Sequence, residues 1–219
     1  MAQSRRATID LSKAAAPLVQ QVGMPTWWIV TPGNGRAALG RVYFGVVLEN
    51  NSDAAVTLSV SFQSYLGDGT RYLSCSAPSL TIEIAARERA MATCTRAIAS
   101  AQVGELQITS RLWNVRAINP KKLDAEVLET GLLAEKPRGE LNVYNAFARV
   151  RTLANRDTRA KILFRFYSDD GVQLATCQSD DVTIELEVAL RVKCGIPAFL
   201  DPGRPQPQSV KAELRSPAW

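Results

Sequence analysis

The sequence predicts an all-β protein built of two tandem antiparallel β-sandwiches, and three observations predict it. The chain repeats itself: Phe62, Tyr65, Asp68, Gly69 and Cys75 return as Phe164, Tyr167, Asp170, Gly171 and Cys177, each 102 residues further on. Apolar residues alternate with polar ones in short runs split by Gly, Asn, Asp and Pro, the pattern of half-buried strands. The segments between those runs are too short to hold the crossover helices of a parallel sheet. A chain of 219 residues has room for two units of common domain size, about 100 residues each.

The elements follow in order. Residues 26–30 form a compact apolar run stopped by Pro32, Gly33, Asn34 and Gly35. Residues 41–48 are rich in β-branched and aromatic side chains and end at the turn cluster Asn50, Asn51, Ser52 and Asp53. Residues 55–62 alternate apolar and polar. Asp68 and Gly69 then signal a hairpin, because Gly takes positive φ and Asp bonds its own backbone. Residues 71–75, 81–84, 90–94 and 106–112 supply the later strands. In the second unit Thr183, Ile184, Glu185 and Leu186 repeat Thr81, Ile82, Glu83 and Ile84, and Val210, Ala212 and Leu214 repeat the places of Ile108, Ser110 and Leu112. The last cysteine slips by two, Cys94 against Cys194, which implies a two-residue deletion after the Thr-Ile-Glu strand.

Two segments read as short helices. One covers 10–22 before Gly23; the other covers 121–130, with Asn119 and Pro120 as N-cap and first-turn residues and Gly131 closing it. The expected organisation is an N-terminal arm over 1–25, a sandwich over 26–118, a helix-containing linker over 119–138 and a second sandwich over 139–219.

The four cysteines fall two per repeat. Equivalence of the units favours the pairs Cys75–Cys94 and Cys177–Cys194, one bridge in each sandwich; four buried free thiols are the alternative. Spacings of 19 and 17 residues without any histidine do not suit tetrahedral zinc.

The absence of histidine also removes the commonest general base, and no nucleophile, Walker or dinucleotide motif is present. No enzyme activity, cofactor or metal is expected. The formal charge of +5 is spread singly along the chain, without the clustered cations and interleaved aromatics of a nucleic-acid binder. No apolar run approaches the length of a membrane span. Asp68, Asp170 and Asp169 belong to turns, Asp180 and Asp181 to a solvated loop, and Lys121 and Lys122 to an exposed helix start. Residues 1–10 lack the apolar region of a signal peptide. With disulfides expected, the location reads as extracytoplasmic with the signal removed, or as a virion.

Trp27 and Trp28 are the local feature that most invites a partner. Neighbours on a strand point to opposite faces, so one indole fills the core while the other is covered or presented as an aromatic anchor.

The run containing Phe164, Phe166, Tyr167, Asp170 and Gly171 resembles the central hairpin of bacterial immunoglobulin-like modules of the FxLYD type, where a strand ends in an aromatic pair before Asp and Gly turn the chain. Phe62, Tyr65, Asp68 and Gly69 form a weaker copy. The resemblance implies immunoglobulin-like sandwiches engaged in extracytoplasmic binding or scaffolding, and carries no catalytic residue. The function expected is a non-enzymatic structural protein that mediates protein–protein assembly, with self-association, as a scaffold or virion or filament component. The alternative is a carbohydrate-binding or enzyme-accessory module, in which Trp and Tyr stack on sugar rings.

Overall fold

The computed structural model describes residues 18–30, 40–75, 81–98, 105–133, 141–199 and 205–217. Among them every regular element is a strand, and no helix is long and apolar enough to cross a membrane. The chain divides into two compact units, Met1–Ile118 and Asn119–Trp219.

The first unit holds β1 (Val19–Val30), β2 (Gly40–Asn50), β3 (Ala55–Leu66), β4 (Arg71–Cys75), β5 (Thr81–Ile84), β6 (Arg89–Ile98) and β7 (Leu106–Ile118). β2 runs antiparallel between β1 and β6. β3 pairs with β7 along one edge and with β4 and β5 along the other. Val42, Phe44, Val46 and Leu48 of β2 and Val56, Leu58, Val60 and Phe62 of β3 alternate into one core, because side chains two apart share a face. Phe44 and Phe62 stack across it with ring centres 6.0 Å apart.

The second unit holds β8 (Ala125–Leu133), β9 (Leu141–Thr152), β10 (Thr158–Tyr167), β11 (Val172–Gln178), β12 (Val182–Ile184), β13 (Leu190–Phe199) and β14 (Ser209–Arg215). β9 lies between β8 and β13, and β10 pairs with β11, β12 and β14. The registers repeat those of the first unit. Phe62 faces Cys75 and Ser110, and Phe164 faces Cys177 and Ala212. Gly69 and Gly171 close the two hairpins with φ of 82° and 77°.

The core bulk is redistributed between the copies. Where β2 has Phe44 and Val46, β9 has Ala146 and Ala148; where β3 has Ser64, β10 has the buried Phe166. Loss of the ring on one strand is offset by a ring gained on the strand facing it, the kind of compensation a core tolerates.

Three expectations are corrected. Residues 125–133, read as part of a helical linker, are β8, paired with β9 along their length. Gly131 does not end a helix; it sits beneath Phe147, whose ring a Cβ would meet at 2.7 Å. Of the first expected helix, 10–17 lies outside the described residues, and Val19–Val22 belongs to β1. There Gly23, with φ of 78°, marks the irregularity between Val22 and Thr26. The turn at 32–35 also lies outside the described residues. Finally, the two-residue slip precedes the Thr-Ile-Glu strand. Val56 faces Ile84, and its counterpart Thr158 faces Ile184 rather than Leu186. The following turns then match at the shorter offset, with Arg87 and Glu187 at φ of 58° and 64°.

Each sandwich is tied at both sides. Bridges Cys75–Cys94 and Cys177–Cys194 join β4 to β6 and β11 to β13, with Cα atoms 6.3 and 6.0 Å apart. On the opposite side the hydroxyl of Ser110 on β7 donates to Gln21 on β1 at 2.7 Å; in the second unit Thr130 on β8 donates to the Val210 carbonyl on β14 at 3.4 Å.

Candidate functional site

The alternation of β7 breaks once, and the break builds a groove. Ile108 and Leu112 pack toward the core, but the next inward residue is Val115, not Asn114. The ladder absorbs the extra residue as a bulge: Ser59 pairs with Trp113 while Thr57 pairs with Arg116. Asn114 takes φ of 54°, the left-handed region that Asn tolerates better than most residues. The consequence is directional. The bulge brings Arg116 onto the same outer face as Trp113; an unbroken strand would aim it at the core.

On the other side of β3, Thr81 faces Ser59 and Glu83 faces Thr57. A large indole beside small hydroxyl side chains leaves a hollow of about 270 Å³, lined by Thr57, Ser59, Thr81, Trp113, Asn114 and Arg116 above the Leu58 position. Ser59 is only 6% exposed and forms the floor, its Oγ 3.5 Å from Thr81 Oγ1. Trp113 is half-buried, while Asn114 and Arg116 are exposed. The Arg116 side chain has no ion-pair or hydrogen-bond partner among the described residues. The arrangement offers an apolar ring face, hydroxyls, one amide and one guanidinium. These groups bind and orient; they supply no general base near a nucleophile.

The second copy lacks this site. Arg215 stands where Trp113 does and is the last residue of β14, so the second ladder ends before the place of the bulge. Its guanidinium and that of Arg165 both engage Glu213, at 2.9 and 2.6 Å. Arg165 and Arg215 are both buried, so the equivalent row is occupied by its own ion pairs.

The residues singled out in the sequence lie elsewhere. Trp27 packs against the first core. Trp28, on the other face of β1, stacks on Tyr43 with centres 5.4 Å apart and planes 6° from parallel, and its ring passes over Gly45. Both indoles are half-buried, and neither lines the groove. Asp68 accepts the Thr70 N–H at 2.8 Å, which holds its carboxyl below the usual carboxylate range; Asp170 accepts the Ser168 hydroxyl. Asp181 pairs with Arg159 at 3.1 Å and Lys161 at 3.4 Å on the surface. Asp180, Lys121 and Lys122 are exposed. Among the described residues no three acidic or cysteine side chains gather into a metal site. Trp113, Asn114 and Arg116 escaped the sequence reading. Their signal was the spacing of Ile108, Leu112 and Val115, which leaves period two at an Asn.

No family model matches the chain, and no curated protein matches it. Among solved structures it is similar to a glycosyl hydrolase family 2 member from Bacteroides cellulosilyticus, at 9% identity and a TM-score of 0.34, over 90% of this chain and 30% of that one. A family 2 β-galacturonidase from Eisenbergiella tayi aligns at 10% identity and a TM-score of 0.30, over 90% and 40%. The tandem CBM22 domain of Paenibacillus barcinonensis Xyn10C aligns at 7% identity and a TM-score of 0.17, over 99% and 92%. The chain thus spans less than half the length of the two family 2 proteins, and at these scores nothing of their activities passes to it.

Proposed function

We propose that this chain is a non-catalytic binding protein whose first sandwich carries a carbohydrate-binding groove. The observation that carries the reading is the Asn114 bulge, which sets Trp113 and Arg116 on one face over hydroxyl side chains in one copy only. An indole stacks on the C–H face of a sugar ring, and the surrounding hydroxyl, amide and guanidinium groups bond its hydroxyls. The hollow lies just below the ~300 Å³ at which pockets for drug-sized ligands begin, a size suited to one ring of a chain lying across the sheet. Immunoglobulin-like sandwiches and an oxidising, extracytoplasmic setting complete the reading, supported by the strand pairing and by one bridge per unit. A glycan array followed by calorimetry tests it. Trp113→Ala should weaken the selected glycan about 30-fold, the loss of a hot-spot aromatic. Failure to find any glycan whose binding depends on Trp113 defeats the reading.

A second reading, protein–protein assembly, is favoured by the end of the other unit. Leu153, Leu186 and Val188 are 60, 43 and 50% exposed where the first copy has Asn51, Ala86 and Glu88. Sedimentation of the wild type and of Leu186→Asp over a concentration series tests this contact; a monomer throughout refutes self-association.

A further inference from the structure

Resting on the carbohydrate reading, we infer that the groove selects an anionic saccharide, one bearing a carboxylate or a sulfate, and that Arg111 and Arg116 supply the selection.

The outer row of β7 reads Arg111, Trp113, Arg116. Arg111 faces Ser61, Trp113 faces Ser59 and Arg116 faces Thr57, so the three side chains share one face and two guanidiniums bracket one indole. Arg111 and Arg116 are exposed, and neither side chain has an ion pair or hydrogen bond among the described residues. Most other arginines among the described residues find something to hold: Arg87 pairs with Asp53, Arg151 with Glu126 and Arg159 with Asp181.

The second copy shows what the same row looks like when it serves only the fold. Glu213 occupies the place of Arg111, Arg215 that of Trp113, and the carboxylate is shared between Arg215 and Arg165. In the first copy no carboxylate stands on β7 between residues 106 and 118. The nearest across the sheet is Glu83, beyond Thr57. The face is therefore polarised, cationic along β7 and acidic along β5. A ligand anion is drawn to the β7 side, where Arg offers a planar fork matched to carboxylate or sulfate oxygens.

A saccharide fits this surface better than a nucleic acid. Single strands are held by successive aromatic platforms and a groove that tracks many phosphates; here there is one indole, and its neighbours on β3 and β5 are Thr57, Ser59 and Thr81, hydroxyls suited to a polyol.

The test is calorimetric titration of the full chain with four probes of similar length: a trigalacturonate, a sulfated trisaccharide, neutral cellotriose and a single-stranded oligonucleotide. At least one anionic saccharide should bind tenfold or more tightly than cellotriose, and which one does so tells carboxylate from sulfate. Arg116→Gln and Arg111→Gln should each lower that preference severalfold and leave the melting temperature unmoved. Trp113→Ala should weaken all saccharides together, with Trp113→Phe restoring part of the affinity. Equal binding of neutral and anionic sugars overturns the inference and leaves the carbohydrate reading standing. Tighter binding of the oligonucleotide overturns the inference in favour of nucleic acid. Absence of Trp113-dependent binding to every saccharide overturns both.

Discussion

Replacing both cysteines of one bridge by alanine should cost its unit about 3 kcal/mol. The ring closed by Cys75–Cys94 spans a separation of 19 residues and that closed by Cys177–Cys194 one of 17. Chain-entropy loss on closing a loop of that size corresponds to about 3 kcal/mol at 25 °C, and the two rings differ by only about 0.1 kcal/mol. In a unit of about 100 residues this lowers the melting temperature by roughly 12–24 °C. Beside the first bridge, Arg96 on β6 donates to the Ser74 carbonyl on β4 at 2.9 Å, an exposed bond too weak to replace it. β4 and β6 belong to different sheets, so the covalent tie joins elements that share no ladder. Scanning calorimetry of Cys75→Ala/Cys94→Ala and Cys177→Ala/Cys194→Ala should show similar losses, each in one unit, although the cores differ in composition. The bridges should differ in accessibility, since Cys75 and Cys94 are buried and Cys177 and Cys194 are half-buried. Limited reductant followed by alkylation and mass spectrometry should therefore label the second pair first. A double variant that melts within a few degrees of the wild type refutes the reasoning, as do four alkylated thiols in protein prepared without reductant.

Other changes probe the local architecture. Asn50→Ala should destabilise the first unit by roughly 2–3 kcal/mol in urea melts, because Asn50 is fully buried and donates to the Ala54 and Ala85 carbonyls at 2.8 and 2.9 Å. Gly131→Ala should cost about 1–3 kcal/mol by driving a methyl into the Phe147 ring, which Arg191 already covers at 4.2 Å. At the bulge, Asn114→Gly should be neutral or stabilising, whereas Asn114→Ala should lose about 1 kcal/mol and weaken glycan binding, since the left-handed φ penalises a Cβ. The depressed Asp68 carboxyl makes its turn contribute above about pH 4 and lose that contribution as pH falls through the folded value. Asp68→Asn should flatten the acid limb of melting temperature against pH.

What the sequence disclosed, and what it hid, follow from the range of each interaction. The hairpins at Gly69 and Gly171 are local, and their chemistry is readable in a few residues. The cysteine pairing followed from duplication. The strand 125–133 was misread because its Gly131 and the preceding Asn119 and Pro120 imitate helix punctuation, while the reason for the glycine is Phe147 on a neighbouring strand. The position of the two-residue slip was misread for a similar reason. Identical letters at Thr81 and Thr183 outweighed burial, yet Ile84 and Ile184 are the residues that occupy one place in the two cores. Trp27 and Trp28 drew notice by adjacency, but adjacency on a strand sends them to opposite faces. Trp113 and Arg116, three apart, come to one face only because Asn114 is looped out.

Duplication gives a reference inside the molecule for separating what the fold needs from what it does not. Both copies need an aromatic at 62 and 164, a positive φ at 69 and 171, and a bridge across the open side, and both have them. The outer row of the last strand carries no such requirement. One copy fills it with Glu213 and Arg215 and, from the neighbouring strand, Arg165, three side chains joined by ion pairs. The other leaves Arg111 and Arg116 beside an indole, with a bulge at Asn114 to turn the second arginine outward. A looped-out, left-handed residue is a backbone cost, and it falls beyond the stretch the two copies share as ladder, since β14 ends at Arg215, the counterpart of Trp113. What it presents, Trp113 and Arg116 on one face, is the arrangement on which the proposed binding site of the first unit rests.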